Sequence, residues 1–260
     1  MPFPIERFSD LNVAVPSAEK KPHKLSQFND TRTDEYYWLR SDARDDPEVL
    51  EYLCKENAYT KACLEDPTEV LRATLYDDMK SRIKEDDRQP AFREDDWYYY
   101  TRTVEGQQYS IHCRRPVPSA RAGLPPTIHD TVDTNEVEQI LIDENVRAAS
   151  LQYYRMNACE QSPNHNTLAI AEDTTGAEKY TVRFFDLSDG GATPLPQHII
   201  ENCSGDIAWA TDTILFYLTK DALDRPDRLW RYDLSAAHPE SMDVFHETDD
   251  QHYLSLSRAQ

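Results

Sequence analysis

A unit made only of strands recurs in the second half of this chain, and it restricts the fold more than any other feature. The apolar run at 168–171 leads through a turn into YTVRFFDL, residues 180–187. The run ILFYL at 214–218 leads through a longer turn into LWRYDL, residues 229–234, so both units close on Asp-Leu. Strand-only repeats at this spacing predict a β-propeller. Unrelated hairpins packed as a β-sandwich are the alternative.

The segment before these repeats also follows the two-residue period of strands. Aromatic and β-branched residues at 97–102 and 109–113 predict two strands joined at a Glu-Gly turn. A third strand is predicted at 138–143, after the proline-rich loop at 116–126. We expect no helix beyond residue 90.

These strands predict a mainly β fold in which residues 85–260 form a partial β-propeller of about three blades. Trp209 and Trp230 are expected to fill the space between blades rather than to bind a ligand. The stretch HYLSLSRAQ at 252–260 is predicted to open the next blade without completing it. Because an unclosed propeller leaves a sheet edge exposed, we expect the chain to be a piece of a longer protein.

Residues 1–84 form a separate N-terminal extension in this prediction, because the periodicity from residue 47 onward is helical. Asp46 precedes Pro47, a pattern that starts helices since the carboxylate accepts hydrogen bonds from free N–H groups. The sequence Asp-Pro-Thr-Glu at 66–69 is a capping box, which predicts a second helix after a short link. Apolar residues recur at helical spacing along both: Val49, Leu50, Leu53, Cys54, Val70, Leu71, Leu75, Met79 and Ile83.

An aromatic block precedes these helices. It consists of Tyr36, Tyr37 and Trp38. No neighbouring sequence is predicted to bury these rings. We therefore expect the block to dock on another part of the protein.

The acidic balance of the chain disfavours two classes of partner. The sequence has 28 Lys and Arg residues against 48 Asp and Glu residues, which gives a net charge of −20. Nucleic acids and acidic membrane surfaces would be repelled, and no apolar run is long enough to span a membrane. A basic peptide is compatible with this charge, although most of these carboxylates are expected only to keep the surface hydrated.

The cysteine and histidine patterns predict neither disulfides nor a metal site. The five cysteines are an odd number with no CxxC spacing, and no HExxH motif occurs among the eight histidines. The N-terminus MPFPIERFSD lacks the basic start and apolar core of a secretory signal. We expect reduced thiols, a cytoplasmic location and no cofactor.

Four stretches resemble, in order, the N-terminal part of the oligopeptidase B branch of the prolyl oligopeptidase family of serine peptidases. Together they cover nearly the entire chain, so no single motif has to establish the resemblance. The first is DEYYWLRSDARDDPEVLEYLCKENAYT, and the second is the hairpin within 85–115. The third is ILIDENVRAA followed by LAIAEDTTGAEKYTVRFFDL, and the fourth is DIAWATDTILFYL followed by DRPDRLWRYDL.

The resemblance implies that the propeller and a catalytic domain have separate roles. In this family the N-terminal helices pack on a C-terminal α/β-hydrolase domain, which is absent from these residues. Tyr36, Tyr37 and Trp38 would belong to that docking surface. The complete enzyme would cut short basic peptides after Arg or Lys without a metal, and the propeller would restrict substrate access.

The resemblance also suggests charged residues that hold the two domains closed. The candidates for this interdomain or gating role are Arg147, Glu172, Asp173, Glu178 and Arg183. For each of them, an ordinary solvated charge is the alternative. Glu178 departs from relatives that carry arginine near this point.

The catalytic chemistry of the family has no counterpart in the sequence. Its Ser nucleophile needs glycines on both sides to turn the backbone tightly, and none of the six glycines completes a GxSxG pattern. Ser204-Gly205 comes nearest and is predicted to be a strand-joining turn. We therefore assign no catalytic Ser, Asp or His, and expect the chain alone to be inactive. A non-enzymatic, propeller-like interaction module is the alternative, although the docking helices favour the peptidase.

Overall fold

The structure is a computed structural model, and the chain in it divides into two compact units. One unit ends at Lys84 and the other begins at Glu85. Within the described part of the chain, no helix has the length and apolar character needed to cross a membrane. The described residues are 13–127, 130–132, 135–236 and 241–258.

The first unit contains a two-stranded hairpin. Strands β1 (His23–Gln27) and β2 (Asp30–Asp34) pair antiparallel around a two-residue turn. Both turn residues, Phe28 and Asn29, have positive φ angles, of 53° and 61°. Such turns match the right-handed twist of the flanking strands, which explains why this backbone conformation is adopted here.

One continuous helix follows where two were predicted. Helix α1 (Pro47–Thr60) continues through a π-helical segment (Lys61–Glu65) into α2 (Asp66–Ser81), a run of 35 residues. The predicted link was wrong, because the backbone at Asp66 keeps helical angles of −62° and −47°. Pro67 has no N–H for an α-helical bond, and the Asp66 N–H donates to the carbonyl five residues back. The π-turn thus accommodates the proline without ending the helix.

The helix begins as predicted but leaves most of its apolar face exposed. The Asp46 carboxylate accepts from the backbone N–H groups of Glu48, at 2.9 Å, and Val49, at 3.4 Å. Along the 35 residues only Val49, Cys63 and Thr68 are buried. The exposed apolar side chains are Leu50, Leu53, Leu64, Val70, Leu71, Leu75, Tyr76 and Met79.

The second unit starts with a four-stranded antiparallel sheet whose strands pair in chain order. Trp97 pairs with Pro116 and Arg102 with Ile111, which confirms the predicted hairpin. The strands are β3 (Phe92–Glu94), β4 (Trp97–Arg102), β5 (Ile111–Pro116) and β6 (Gln139–Asp143).

A seven-stranded antiparallel sheet follows, again with every strand next to its sequence neighbour. The predicted strands 168–171, 180–187, 214–218 and 229–234 all lie in it. Its strands are β7 (Arg155–Gln161), β8 (Thr167–Asp173), β9 (Tyr180–Asp186), β10 (Thr193–Trp209), β11 (Ile214–Lys220), β12 (Pro226–Asp233) and β13 (Ser241–His246).

The long strand β10 belongs to two four-stranded groups. It pairs with β9 as far as Cys203, and from Cys203 to Trp209 it pairs with β11. At the change of partner, Asn202 and Gly205 have φ angles of 58° and 103°. A Cβ on Gly205 would lie 2.8 Å from the Asn157 amide, so this bend requires glycine. Together with the first sheet, the described residues form three four-stranded blades.

The hydrophobic core lies on both faces of the middle blade. Alternate residues of β8 point to opposite faces. Leu168 and Ile170 pack in a cluster with residues of the first blade, such as Leu141. Ala169 and Ala171 pack in a second cluster with residues of the third blade. That second cluster contains Trp209, and Trp230 packs against it, as predicted for blade core.

Two predictions about the second unit were wrong. A short helix, α3 (Glu144–Ala148), occurs beyond residue 90, because the Asp143 side chain accepts from the N–H groups of Asn145 and Val146 and so caps it. The stretch 252–258 forms no strand. The last two residues of the predicted strand lie outside the described residues.

Candidate functional site

Three of the five predicted gating residues form one cluster, in which two arginines bind the carboxylate of Glu172. Glu172 lies near the end of β8 and is only 3% exposed. Arg147 on α3 donates through Nε and Nη2 to the two carboxylate oxygens, both at 2.6 Å. Arg183 on β9 donates through Nε to Oε1, also at 2.6 Å. The cluster therefore fastens α3 to the middle blade.

The buried pair of Glu172 and Arg147 in this Glu172 cluster is charged at neutral pH. Burial by itself would raise the pKa of Glu172, but the hydrogen bonds and charges of Arg147 and Arg183 together outweigh burial and lower it. Burial would lower the pKa of Arg147, and the paired Glu172 raises it instead. Two cations on one anion leave the cluster with a net positive charge. Its accessible side is Arg183, whose side chain is 43% exposed.

A buried tyrosine lies within electrostatic reach of this cluster. Burial, and then the charge of Glu172, raises the pKa of Tyr154, which therefore stays neutral. Its ring packs edge-on against Tyr109, with 5.8 Å between ring centroids. Its hydroxyl is buried and has no hydrogen-bond partner among the described residues.

The other two predicted gating residues, Asp173 and Glu178, belong to the turn between β8 and β9. Asp173 is fully buried and accepts from the N–H groups of Thr175, Gly176 and Glu178, at 2.8, 3.1 and 2.8 Å. These bonds outweigh the effect of burial and lower the pKa of Asp173. Lys220 donates to the Glu178 carbonyl oxygen at 3.1 Å. Asp173 thus shapes the turn that carries Glu178.

The aromatic block of the first unit has local partners for two of its three rings. The Tyr37 ring stacks on the His23 ring, with 4.1 Å between centroids. The Trp38 indole N–H donates to the Glu19 carbonyl oxygen at 2.8 Å. The expectation that nothing local covers the block was therefore wrong for Tyr37 and Trp38. Tyr36 is 43% exposed and is the ring of the block that presents most surface.

The first strand of each blade lines a common cavity of about 800 Å³. The contributing strands are β3, β7 and the second half of β10. Three carboxylates line it: Glu94, Glu160 and Asp206. Burial, followed by repulsion from Glu94, raises the pKa of Glu160, and burial raises the pKa of Asp206. This central cavity therefore favours a positively charged occupant.

Sequence reasoning missed the carboxylates of the central cavity. Glu94 lies on β3, a three-residue strand with no clear periodicity. Asp206 directly follows the Ser204-Gly205 pair, which was predicted to be a turn. Their common position depends on which strand of each blade is innermost. The hydrophobic pattern does not carry that information.

The Ser-Gly pair that comes nearest to a GxSxG pattern does not form the predicted strand-joining turn. Ser204 and Gly205 lie inside β10, at the bend between its two halves, instead of in a loop between strands. Among the described residues, no group of three or more His, Cys, Asp or Glu side chains could hold a metal ion.

Strand-only blades around a common cavity define the second unit as part of a β-propeller. Residues 16–260 match the family described as prolyl oligopeptidase, N-terminal beta-propeller domain. The chain belongs to this family.

Curated relatives and solved structures of peptidases are similar to the chain. It is 35% identical to dipeptidyl aminopeptidase BI of Pseudoxanthomonas mexicana, an alignment that covers 100% of this chain and 36% of that protein. It is 28% identical to Protease 2 of Moraxella lacunata, over 95% of this chain and 34% of that protein. The structure of oligopeptidase B from Leishmania major superposes with a TM-score of 0.75 at 29% identity, over 92% of this chain and 33% of that one. The chain thus spans about a third of the length of the curated relatives that it matches.

Proposed function

We propose that this chain is the N-terminal part of a serine endopeptidase of the oligopeptidase B type, which cuts short peptides after Arg or Lys. The observation that carries this proposal is the similarity to oligopeptidase B from Leishmania major over 92% of the chain. Oligopeptidase B from Trypanosoma brucei, solved in a closed form with covalently bound antipain, superposes with a TM-score of 0.73. The net charge of −20 and the carboxylates of the central cavity support a basic substrate.

In this proposal the propeller restricts access, and the chemistry takes place elsewhere. The catalytic Ser, Asp and His would belong to an α/β-hydrolase domain outside these 260 residues. The absence of a GxSxG pattern from the sequence supports this assignment. The chain by itself would then be inactive.

The exposed apolar face of the α1–α2 helix supports docking to that catalytic domain. Apolar patches of this extent on a folded surface usually mark an interaction site. Val70 is 79% exposed and Met79 is 59% exposed, so the helix retains most of its apolar surface for a partner. Tyr36 would extend this surface, and Tyr37 and Trp38 would contribute the part of each ring that their local partners leave accessible.

The Glu172 cluster would supply the gate between the two domains. Arg183, the accessible member, would pair with a charge of the catalytic domain, and the buried Glu172 would hold Arg183 and Arg147 in place for this contact. The turn shaped by Asp173 would present Glu178 as a further contact. In the complete enzyme, Glu172→Gln is expected to change kcat/KM for long peptides more than for dipeptide substrates. Glu201→Gln, at an exposed position on β10, is the matched control. Equal changes in kcat/KM for the two variants would contradict the gating role.

A cytoplasmic location is also part of the proposal. All five cysteines are unpaired, and Cys63, Cys113 and Cys203 are buried. Unpaired buried thiols are typical of proteins in a reducing compartment. Localisation of the tagged protein in fractionated cells tests this part of the proposal.

A peptidase assay on two samples tests the enzymatic proposal. The samples are the 260-residue chain and the longest polypeptide that its gene encodes in frame, both checked for folding by circular dichroism. The substrate is a fluorogenic Arg-Arg peptide with a blocked N-terminus. We expect turnover by the longer polypeptide, sensitive to a serine-directed inhibitor, and none by the chain alone.

Three results would contradict this proposal. Inhibitor-sensitive turnover by the 260-residue chain would place a nucleophile within it. Turnover by the longer polypeptide only when the substrate N-terminus is free would favour the activity named for dipeptidyl aminopeptidase BI. Absence of turnover from a folded longer polypeptide would favour the non-enzymatic interaction module.

A further inference from the structure

The central cavity contains one carboxylate that already holds a guanidinium group. Nη1 of Arg258 lies 3.2 Å from Oε1 of Glu94. The Gln161 side-chain amide donates to the other carboxylate oxygen, Oε2. Gln161 is 8% exposed, so this donor is fixed by packing. Glu94 is thus oriented by a buried amide, with one oxygen directed at a cation.

The Glu94–Arg258 pair differs from the other charged pair at the cavity wall. Arg93 is 5% exposed and donates to Asp130, 8% exposed, at 2.8 Å. It also donates to the carbonyl oxygens of Arg121 and Leu124, so its guanidinium is fully engaged. Arg258, by contrast, is 40% exposed and lies on a stretch without regular structure. Exposed pairs of this kind contribute little stability, so Arg258 can be displaced.

The remaining charges of the cavity also favour a cation. Glu160 and Asp206 line the same space as Glu94. Arg93 is held by Asp130. Among the described residues that line the cavity, Arg258 is therefore the cation that can be exchanged beside these three carboxylates. A second positive group entering the cavity therefore gains attraction without displacing a tight pair.

We propose that Glu94 is a binding subsite for the guanidinium or ammonium side chain of a peptide, and that Arg258 fills this subsite until such a peptide displaces it. The ligand is a short peptide that contains Arg or Lys and is held inside the propeller cavity. Gln161 positions the Glu94 carboxylate, and Glu160 and Asp206 attract the incoming charge. The ligand class rests on the proposed function.

Calorimetric titration of the 260-residue chain tests the subsite directly. The ligand is the peptide acetyl-Gly-Arg-Arg-Gly-amide, and the control ligand carries citrulline, a neutral isostere, in place of both arginines. Arg258→Ala removes the competing group, and we expect it to tighten binding by up to about fivefold, the upper end of the range for an exposed ion pair. Glu94→Gln is expected to weaken binding at least tenfold, because a charge-assisted contact is lost. Glu201→Gln serves as the matched control and should bind like the wild type.

Each outcome decides for or against the subsite. Tighter binding by Arg258→Ala, weaker binding by Glu94→Gln and no binding of the citrulline peptide support it. Equal binding by Glu94→Gln and Glu201→Gln overturns it, as does equal binding of the two peptides or no binding to Arg258→Ala. The citrulline comparison needs only the wild-type chain, so the test holds even if a variant does not fold.

The result is separable from the peptidase proposal, because the titration involves no hydrolysis. If the peptide binds at Glu94 but the longer polypeptide shows no turnover, the peptidase proposal fails and the subsite stands. If the longer polypeptide cuts after Arg and the chain binds no peptide at Glu94, only the subsite fails.

Discussion

The apolar residues of strand β8 are buried, whereas most of those on the α1–α2 helix are exposed. Every residue of β8 from Leu168 to Asp173 is buried, and Leu168 is 0% exposed. In the helix, Val70 and Met79 remain mostly exposed although they lie on the apolar stripe. A strand has two faces, and both are covered here by neighbouring blades of the same chain. The apolar pattern of the helix is therefore better explained by a partner than by the core of its own unit.

The largest effect is expected from truncation inside the covered strand. Leu168→Ala should lower the free energy of unfolding by about 3 kcal/mol, because it removes fully buried methyl groups and leaves a cavity in the core. Urea denaturation followed by tryptophan fluorescence measures this change. A loss below about 1 kcal/mol would show that the middle blade is not the stable part of the molecule.

A smaller but specific effect is expected at the contact between the first two blades. Arg114 on β5 is 2% exposed, and its guanidinium donates to the carbonyl oxygens of His165, at 2.6 Å, and Leu187, at 3.0 Å. It also lies 3.8 Å from the centroid of the Trp97 ring. Arg114→Met should cost about 2 kcal/mol, because two buried acceptors lose their donors.

A half-buried arginine in a similar geometry is the control for this variant. Arg228 lies over the Trp230 ring at 5.6 Å, but its side chain is 34% exposed. Arg228→Met should cost well under 1 kcal/mol in the same denaturation experiment. If the two variants were equally stable, blade contacts would not depend on the buried guanidinium.

An effect that depends on pH is expected at the buried pair of Arg93 and Asp130. The hydrogen bond from Arg93 lowers the pKa of Asp130 from its ordinary value of 3.8 to about 2. The stability that this pair contributes is therefore present above pH 3.8 and is lost as the pH falls through 2. Asp130→Asn should flatten the acid dependence of stability in that window, and Asp189→Asn should not. Parallel acid titrations of both variants, monitored by circular dichroism, measure the difference.

The smallest effect is expected on the exposed face of the helix. Val70→Ser and Met79→Ser remove exposed apolar surface of the first unit. Each should change the free energy of unfolding of the 260-residue chain by no more than about 0.5 kcal/mol. A loss above 1 kcal/mol in the isolated chain would mean that this face is packed internally, and would reverse the comparison between helix and strand.

Local patterns predicted the elements of this fold better than their junctions. The strands of β8, β9, β11 and β12 follow from apolar runs bounded by turn residues. The 35-residue helix does not follow, because Pro67 after Asp66 is a normal helix start, and the π-turn that accommodates it leaves no sequence signal. β10 was missed for a related reason, since two prolines and a Ser-Gly pair favour turns.

The side-chain contacts of the candidate site could not be predicted from local sequence patterns either. Arg147 and Glu172 are 25 residues apart, and the α3 helix that carries Arg147 was not predicted. Resemblance to a family suggested both residues, but only the fold places both guanidinium groups on one buried carboxylate. The carboxylates around the Glu94 subsite come from the first strands of three blades, and no local pattern shows that these strands line one cavity.

The sharing of β10 has a consequence for how this propeller could be rearranged in evolution. In many repeat proteins, one module can be duplicated or deleted by recombination within the loops at its borders. Here the border between the second and third blades lies within a single strand, at Cys203, where the hydrogen bonding changes partner. A recombination event that preserves both blades must therefore join two half-strands and restore the bend at Gly205. These two blades should accordingly be inherited as one block.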